Sequence, residues 1–222
     1  ATEQANPLSQ AIENLSVAEI TQRKNQEDQG VPLAIRQSLP EINAFIEALV
    51  PVMAQGGSLF YIGAGTSGRL GLLDASECPP TFGVAPDRVQ ALMAGGLEAM
   101  TQAVEGAEDD QAAAVQDLAT LELSAKDALV GIAASGRTPY VVAALRYAQE
   151  QGALTASLAC VESAEISQWA DYPIEVLVGP EIITGSSRLK AGPAQKLVLN
   201  MISTTAMIQL GKVYQGYMVD VQ

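Results

Sequence analysis

Short, continuous apolar runs recur at intervals along most of this chain. They lie near residues 59–63, 89–93, 127–133, 154–160 and 173–178. Stretches with helical periodicity separate them near 68–78, 97–119, 138–151 and 163–169, and a long apolar helix is expected from about Leu189 or Lys190 to Leu210. Strands that are apolar throughout and alternate with helices are typical of a parallel sheet that is covered on both faces. The pattern therefore predicts an α/β fold of three layers, α/β/α, with five parallel strands in the middle layer.

The first 56 residues show a helical pattern instead of this alternation. Ser16 and Glu19 match a capping box, and a second amphipathic run follows it. We expect residues 1–56 to form a helical segment packed on the core and residues 57–222 to form the main domain. The two are expected to be one structural unit, because a chain of 222 residues does not require two domains.

The chain carries a large net negative charge. It contains 12 lysines and arginines and 25 aspartates and glutamates, which gives a formal charge of −13 at pH 7. This charge disfavours nucleic acid or an anionic membrane as the main partner, so an anionic ligand has to be bound by local groups. The apolar runs are short and no basic segment leads into one at the start, so we expect neither a membrane span nor a signal peptide. A cytoplasmic location is the simplest interpretation.

Histidine does not occur in the sequence. Its absence removes the most common general base, the most common metal ligand and every Ser-His or Cys-His nucleophile pair. We therefore expect carboxylates to move protons if the protein is an enzyme, and we predict no metal site. Cys78 and Cys160 show neither metal-binding nor CxxC spacing and are interpreted as free thiols of a reducing compartment. Cys78 has apolar and proline neighbours and is expected to be a buried thiol, not a nucleophile.

A glycine-rich turn follows the first apolar run. Residues 63–68 read Gly-Ala-Gly-Thr-Ser-Gly, which matches the GxGxxG of dinucleotide-binding proteins in outline. The acidic residue that such a site needs for the ribose is missing, because the second apolar run leads into Ala94-Gly95-Gly96. Thr66 and Ser67 instead add hydroxyl groups to a turn whose backbone N–H groups and helix N-terminus favour an anion. The turn therefore indicates a phosphate site.

Two later loops carry similar chemistry. One reads Ala134-Ser135-Gly136-Arg137-Thr138-Pro139, and the other reads Thr184-Gly185-Ser186-Ser187-Arg188-Leu189-Lys190. A single loop of this kind more often caps a helix or forms a turn, but open α/β sheets bind ligands where such loops meet at one edge. We therefore expect the three loops to bind a phosphate together. The candidate residues are Ser67, Ser135, Thr138 and Ser187 as hydroxyl donors, Thr66, Gly68 and Gly136 in the turns, and Arg137 and Arg188 as positive charges.

Five longer motifs resemble the N-acetylmuramic acid 6-phosphate etherases, a branch of the sugar isomerase (SIS) domain proteins. They occur in the family's order, and the resemblance runs from Asn6-Pro7 to Met218-Val219-Asp220-Val221, nearly the whole chain. The motifs are Gly63-Ala64-Gly65-Thr66-Ser67-Gly68-Arg69-Leu70-Gly71, Asp74-Ala75-Ser76-Glu77-Cys78-Pro79-Pro80-Thr81, Val104-Glu105-Gly106-Ala107-Glu108-Asp109, Gly131-Ile132-Ala133-Ala134-Ser135-Gly136-Arg137-Thr138-Pro139-Tyr140 and Thr184-Gly185-Ser186-Ser187-Arg188-Leu189-Lys190-Ala191-Gly192.

The resemblance implies a fold and an activity. The fold is a SIS domain with a flavodoxin-like sheet of five parallel strands, in a cytoplasmic homodimer. The activity is that of a carbon–oxygen lyase of cell-wall sugar recycling, which uses no cofactor. Such an enzyme cleaves the D-lactyl ether of N-acetylmuramic acid 6-phosphate by elimination and then hydration, and it releases N-acetylglucosamine 6-phosphate and D-lactate. The expected partner is therefore a small sugar phosphate.

Two glutamates match the acid and base positions of this family. The elimination needs a base for the C2 proton and an acid for the departing lactate oxygen. The resemblance places the acid on Glu77 and the base on Glu108. Glu77 precedes Pro79-Pro80, so we expect it at the C-terminal end of a helix, where the helix dipole raises the pKa of a carboxyl group and favours its protonated form. Without the resemblance, each glutamate is explained equally well as a solvated charge near a helix end.

The chain departs from the family pattern at two points. Pro193 stands where the family has a threonine, and the family continues beyond Met218-Val219-Asp220-Val221 into a further helical region. We therefore expect Gln222 to end a fragment or a shortened form that lacks any residues supplied by that region.

Three other functions fit parts of the sequence. An aldose–ketose isomerase of sugar phosphates on the same fold also needs a base near C2. A non-catalytic phosphosugar-binding regulator, similar to the glucokinase regulatory protein, needs the phosphate loops but not both glutamates. A dinucleotide oxidoreductase needs the ribose acid that is absent. The presence of both Glu77 and Glu108 favours a catalyst over a regulator.

Overall fold

The computed structural model describes residues 4–220. Residues 1–3 and 221–222, which belong to the two predicted segments, lie outside the described residues, and so does Val221 of the last family motif. The α-helices are α1 (Val17–Asp28), α2 (Gly30–Gln37), α3 (Leu39–Ala54), α4 (Gly65–Phe82), α5 (Gln111–Thr120), α6 (Pro139–Glu150) and α7 (Ala191–Gln209). The strands are β1 (Leu59–Gly63), β2 (Val89–Met93), β3 (Ala128–Ile132), β4 (Leu154–Ala159), β5 (Tyr172–Glu175), β6 (Val213–Tyr214) and β7 (Tyr217–Met218).

Five parallel strands form the main sheet in the order β2-β1-β3-β4-β5, and β6 and β7 form a separate antiparallel pair. The chain runs from β1 outward to β2 and then returns to β3 on the other side of β1. This is the strand order of flavodoxin-like folds, and the reversal leaves a crevice at the C-terminal ends of β1 and β3. The predicted five-stranded parallel sheet is confirmed.

Helices cover both faces of the sheet, because its strands present apolar side chains in both directions. Leu59 and Tyr61 of β1 belong to a core cluster with apolar residues of α2, α3, α4 and α7. Phe60 and Ile62 point to the other face and belong to a second cluster with α5 and α6. The three-layer α/β/α arrangement is therefore also confirmed, and it holds β1 and β3 in the middle of the sheet.

The N-terminal helices differ in how they contact this core. The predicted capping box is confirmed, since Ser16 and Glu19 cap each other's backbone at the start of α1. α1 contributes no buried residue, whereas α2 and α3 contribute apolar side chains to the first core cluster. The division of the chain at residue 56 stays a prediction. Within residues 4–220, no helix combines the length and apolarity needed to cross a membrane.

The predicted helix over 97–119 is wrong in its first half. That half consists of two 3-10 helices, Gly96–Met100 and Ala107–Asp109, and α5 begins only at Gln111. Gly95, Gly96 and Gly106 have positive φ angles, which a continuous right-handed helix does not tolerate. The predicted helix over 163–169 is likewise a short 3-10 helix, Glu165–Trp169.

α4 does not end near Glu77. Pro79 and Pro80 lie inside α4, which ends at Phe82 before Gly83 in the left-handed conformation. Proline weakens a helix because it has no N–H donor, but Cys78 and Phe82 are buried in the core on either side, and that burial outweighs the local preference. The expectation that Glu77 lies at a helix C-terminus is therefore wrong. The helix-dipole argument for its role as the acid loses its basis with it, since this effect is confined to the last turn.

Candidate active site

A cavity of about 580 Å³ lies at the C-terminal ends of β1 and β3. Residues 64–67, which follow β1, and most of residues 133–139, which follow β3, line it. Glu108, Asp109, Gly185 and Ser187 complete the lining. The position is the topological switch point of the sheet, where open α/β folds bind their ligands.

The N-terminus of α4 forms one wall of this cavity. The residue before the helix, Ala64, has no side chain that can accept a hydrogen bond from the first N–H groups. Those groups carry the partial positive charge of the helix end, so they favour a bound anion. Thr66 lines the cavity beside them. Ser67 is 6% exposed and donates its hydroxyl proton to Oε1 of Gln195 at 2.9 Å.

The N-terminus of α6 forms a second wall of the same kind. Pro139 occupies the first helical position, and the preceding Thr138 makes no side-chain cap. Its hydroxyl and the N–H group of Tyr140 are therefore available to a ligand, whereas Pro139 has no N–H and the N–H groups of Val141 and Val142 donate to the carbonyl oxygen of Thr138. Ser135 and Arg137 line the cavity next to them. The turn requires Gly136, because its φ is +72° and a Cβ there would lie 2.5 Å from the nearest side chain.

The loop before α7 contributes to the cavity in a different way. Gly185 and Ser187 line it, but the N-terminus of α7 is already occupied. The fully buried carboxylate of Glu181 accepts hydrogen bonds of 2.9–3.0 Å from the backbone N–H groups of Lys190 and Ala191. A carboxylate at this place satisfies the positive end of the helix. A ligand in the cavity therefore meets two free helix N-termini, not three.

Buried polar contacts anchor this loop to the N-terminal part of the chain. Nζ of Lys190 lies 2.6 Å from Oε2 of Glu27, at the end of α1. Nδ2 of Asn6 donates to the same oxygen at 2.7 Å and to the carbonyl oxygen of Pro180 at 3.0 Å. Lys190 and Asn6 are each only 6% exposed, so these bonds are screened from water and hold the loop that carries Ser187.

A buried carboxylate also fixes α4 against its neighbours. Oδ2 of Asp74 accepts a 2.9 Å hydrogen bond from the hydroxyl of Tyr61 on β1. Its Oδ1 accepts bonds from Asn200 at 2.6 Å and from Ser203 at 3.1 Å, both on α7. The network joins α4 and α7 to β1, the strand that leads into the cavity.

Two carboxylates line the cavity as well. Glu108 and Asp109 lie in the 3-10 helix that precedes α5, and both side chains are exposed. Arg137 brings a positive charge to the same cavity. The site thus combines groups that bind an anion with carboxylates that are able to accept a proton.

Comparison with known proteins relates this architecture to two domain families and one enzyme family. Residues 41–149 match the glucokinase regulatory protein N-terminal SIS domain, and residues 99–205 match the SIS domain. The N-acetylmuramic acid 6-phosphate etherase of Geobacillus sp. (strain WCH70) is 58% identical over 221 residues, which cover 100% of this chain and 75% of the relative. The etherase of Exiguobacterium sp. (strain AT1b) is 59% identical over 222 residues, which cover 100% of this chain and 76% of the relative. The chain belongs to the N-acetylmuramic acid 6-phosphate etherase family.

Solved structures agree with this chain in fold. A phosphoheptose isomerase from Francisella tularensis superposes with a TM-score of 0.65 at 15% identity, and the match covers 87% of this chain and 100% of the isomerase. At that identity the likeness shows the fold alone. The etherases are lyases that act on an amino-sugar phosphate, so this chain is a member of a family of enzymes.

Most of the predicted phosphate-binding residues of this etherase-family chain surround the one cavity. Those that line it are Thr66, Ser67, Ser135, Arg137, Thr138 and Ser187. Gly68 and Gly136 lie just behind the lining, where the chain has no room for a side chain: a Cβ at Gly68 would lie 2.7 Å from the carbonyl oxygen of Gly63. Arg188 is exposed and, in the described part of the chain, is not among the lining residues. The binding roles of all these residues stay predictions.

Glu77 of the etherase pattern is separated from the cavity. Its side chain is exposed on α4, 11 residues after Thr66, which corresponds to about 16 Å along a helix that rises 1.5 Å per residue. Glu108 lines the cavity and Glu77 does not. Within one chain, only Glu108 of the two predicted catalytic glutamates therefore lies at the cavity.

Two polar residues of the site were not predicted. Asp109 lines the cavity next to Glu108, and nothing in the local sequence sets it apart from the neighbouring acids. Gln195 is 1% exposed, and its Nε2 has no hydrogen-bond partner among the described residues. A signal for it existed: Gln195 precedes the buried Val198 and Leu199 by three and four positions, so it falls on the core face of α7.

Both cysteines are free and buried. Burial raises the pKa of the Cys78 thiol to about 12, and the nearby Asp74 adds to the effect. Burial likewise raises the pKa of the Cys160 thiol to about 12. Both thiols are therefore protonated near neutral pH. Because only the thiolate is nucleophilic, neither cysteine is a nucleophile at that pH. The prediction that Cys78 is a buried thiol is confirmed.

Proposed function

We propose that this chain cleaves the lactyl ether of N-acetylmuramic acid 6-phosphate to give N-acetylglucosamine 6-phosphate and D-lactate. Membership of the etherase family supports the proposal, and one feature of the site carries it. At the switch point of the sheet, two helix N-termini without side-chain caps lie in the same cavity as Glu108. The helix N-termini favour the phosphate of the substrate, and the carboxylate of Glu108 is able to remove the C2 proton.

The phosphate is bound between the N-termini of α4 and α6 in this proposal. Their N–H groups and the hydroxyls of Ser67, Ser135, Thr138 and Ser187 donate to its oxygens, while Arg137 supplies charge inside an acidic protein. Thr66, Gly68 and Gly136 shape the turns that let the backbone approach the ligand closely. Arg188, outside the lining, adds positive charge only at longer range.

Glu108 acts as the base. Its carboxylate removes the C2 proton of the ring-opened sugar, which is acidic because C2 is bonded to the C1 aldehyde. The electron pair then forms the C2–C3 double bond as the C3–O bond breaks, and the lactate oxygen leaves with a proton from an acid. Water adds across the double bond, with its oxygen at C3 and a proton at C2. These steps require a base, an acid and water, and no cofactor.

The acid is Glu77 of a second copy of the chain. It has to reach the C3 oxygen, two bonds from C2, whereas Glu77 of the same chain lies about 16 Å along α4 from the cavity. Glu77 is exposed on α4 beside Leu73, which is 46% exposed, so the face of the helix that carries both is open to contact with a second chain. A dimer with twofold symmetry gives two equivalent sites, each with one glutamate from each copy.

A cytoplasmic location belongs to the same proposal. The proposed substrate is a sugar phosphate, a class of metabolite found inside cells. Cys78 and Cys160 are both free thiols, which fits a reducing compartment.

Lactate release and C2 deuterium exchange test the two glutamates separately. Glu108→Gln is expected to abolish both activities, because it removes the base, with a loss of about 10²- to 10⁴-fold. Glu77→Gln is expected to abolish lactate release and to retain C2 exchange in D₂O, because it removes only the acid. Asp109→Asn is the matched control at the cavity and should retain both activities. If a well-folded Glu77→Gln variant loses C2 exchange, the assignment of Glu77 as the acid is contradicted. If Asp109→Asn instead loses lactate release and keeps C2 exchange, Asp109 is the acid.

One observation favours a second candidate, a sugar-phosphate isomerase. Within one chain only Glu108 of the two glutamates lines the cavity, and an aldose–ketose isomerisation needs a single base near C2. Incubation with N-acetylmuramic acid 6-phosphate separates the two functions. Lactate release supports the etherase, whereas a ketose formed without lactate supports the isomerase.

A further inference from the structure

A second cavity, of about 350 Å³, adjoins the first. The two share Ala64, Gly65 and Glu108 in their linings. The rest of the second lining comes mainly from the end of β2 and from the segment between β2 and α5, including Val104 and Glu105. Glu108 therefore stands where the two cavities meet.

Arg69 is the positively charged residue among those that line the second cavity. Its Nε donates to the carbonyl oxygen of Met100 at 3.0 Å, and Nη2 donates to that of Ala99 at 2.7 Å. A guanidinium has five N–H donors, so three remain after these two bonds. Both acceptors are neutral carbonyl groups, and within residues 4–220 no carboxylate forms a salt bridge with Arg69. The guanidinium is thus held in place without a salt bridge among the described residues.

The proposed substrate has a second anion besides the phosphate. The phosphate is on C6, and the lactyl group attached through oxygen to C3 ends in a carboxylate and carries a methyl group. C2, whose proton Glu108 removes, is bonded to C3. A base at C2 is therefore next to the lactyl group, so the second cavity beside Glu108 suits the lactyl carboxylate, while the phosphate, three carbons further along from C3, lies in the first cavity.

We propose that Arg69 forms a carboxylate subsite for the lactyl group in the second cavity. The carboxylate lies in the fork of the guanidinium, an arrangement that favours two parallel hydrogen bonds. The buried side chains of Met93, Ala94 and Ala99 provide an apolar wall for the methyl group. The subsite rests on the proposed function and extends it, because it distinguishes a lactyl ether from an uncharged ether.

The negative charges in this cavity make the selectivity depend on direct contact. Glu105 and Glu108 line it together with Arg69, so the cavity as a whole does not attract anions at long range. A carboxylate is favoured only where it meets the guanidinium, and hydrogen bonds between charged groups of this kind change affinity by about ten- to a hundredfold.

A neutral analogue of the substrate tests the subsite. In it the lactyl carboxylate is a carboxamide of nearly the same shape, and both compounds give N-acetylglucosamine 6-phosphate, whose formation is measured. The wild type is expected to prefer the carboxylate by about ten- to a hundredfold in kcat/KM, and Arg69→Met should bring this ratio close to one. Arg69→Lys, which keeps the charge without the fork, should give an intermediate ratio. Because each ratio comes from one preparation, loss of folded protein cancels.

Two other arginines serve as controls. Arg137→Met should lower kcat/KM for both compounds and leave their ratio unchanged, since it acts on the phosphate. Arg146 lies over the ring of Trp169, 4.9 Å from its centroid, and lines neither cavity, so Arg146→Met should change neither value. A wild-type ratio preserved in Arg69→Met overturns the subsite and leaves the etherase activity standing. A wild type that forms no product from either compound overturns the etherase proposal and the subsite with it.

Discussion

At the scale of single residues, the hydroxyl proton of Ser67 has two competing acceptors. In the structure it goes to Oε1 of Gln195 at 2.9 Å, while Nε2 of Gln195 is buried without a partner in the described residues. The oxygen and nitrogen of an amide have nearly the same shape. A half-turn of the Gln195 amide lets Nε2 donate to Ser67 and frees the Ser67 proton for a phosphate oxygen. Since buried donors without a partner are rare and costly, we infer that a bound phosphate favours the turned amide.

Removal of the Ser67 hydroxyl is predicted to weaken substrate binding. Ser67→Ala should raise KM for N-acetylmuramic acid 6-phosphate by about ten- to a hundredfold, because a hydrogen bond to a charged group contributes about 1.5–3 kcal/mol. Ser157→Ala is the matched control. Ser157 is also buried, but it lies in β4 and is not among the lining residues. Steady-state kinetics of both variants check the prediction, and an equal rise of KM in the two would contradict a phosphate contact at Ser67.

At the scale of elements, the ends of the helices decide which loops can bind an anion. Three loops have similar sequences, but α4 and α6 begin without a side-chain cap, whereas Glu181 caps α7. Glu181 precedes the helix by ten residues, and the intervening loop has to fold back before the contact exists. Composition therefore predicted three similar anion-binding loops. In the folded chain, the loop before α7 differs because Glu181 already occupies the N-terminus of its helix.

The turn before α6 is predicted to tolerate a side chain poorly. Gly136→Ala places a residue at φ +72° and brings its Cβ within 2.5 Å of the Cβ of Ala164. Gly96→Ala has a similar φ of +66° with nothing within 4 Å, and Gly30→Ala has open space without a positive φ. We expect Gly96→Ala to lower the unfolding free energy by about 1–2 kcal/mol, and Gly136→Ala to lower it by about 1–3 kcal/mol more.

Urea denaturation at one protein concentration measures these differences. Gly30→Ala should be neutral or slightly stabilising, since alanine lowers the entropy of the unfolded chain. A Gly136→Ala variant as stable as Gly96→Ala would show that the crowding around Gly136 relaxes without cost.

At the scale of the whole molecule, only one of the two glutamates that the proposed mechanism uses lies at the cavity. Glu108 lies at the cavity and Glu77 more than two helical turns away along α4, on an exposed face. In the proposed mechanism a symmetric pair of chains resolves the separation, because the exposed face of one copy then completes the cavity of the other.

A heterodimer of two inactive variants is predicted to be active. Glu77→Gln and Glu108→Gln, co-expressed with different tags and purified through both, should form dimers in which one site has both glutamates and the other has neither. Such dimers should release lactate at about half the wild-type rate, since half of their sites are intact.

The homodimers of each variant are the controls and should be inactive. If both glutamates of a site come from one chain, every site in the heterodimer lacks one of them, and the mixed protein stays inactive. A wild type that sediments as an active monomer also contradicts the shared site.

The sequence by itself determined the sheet, the hydroxyl loops and the family. The five strands and the Ser16 capping box are short-range features, because apolar runs, alternation and cap residues act within a few positions of the chain. For the same reason the loops around Ser67, Ser135 and Ser187 were predicted to meet: parallel strands bring their C-terminal ends to one edge whatever the details of packing.

Only the tertiary structure decided the features that depend on burial and on distance between remote residues. α4 continues through Pro79-Pro80 because Cys78 and Phe82 are buried. Glu181 and Gln195 acquire their roles from partners elsewhere in the chain, and the cavity beside Arg69 exists because a long segment folds over it. Local patterns predict which structure a segment prefers. They do not contain the distances between segments, which the packing of the whole core sets.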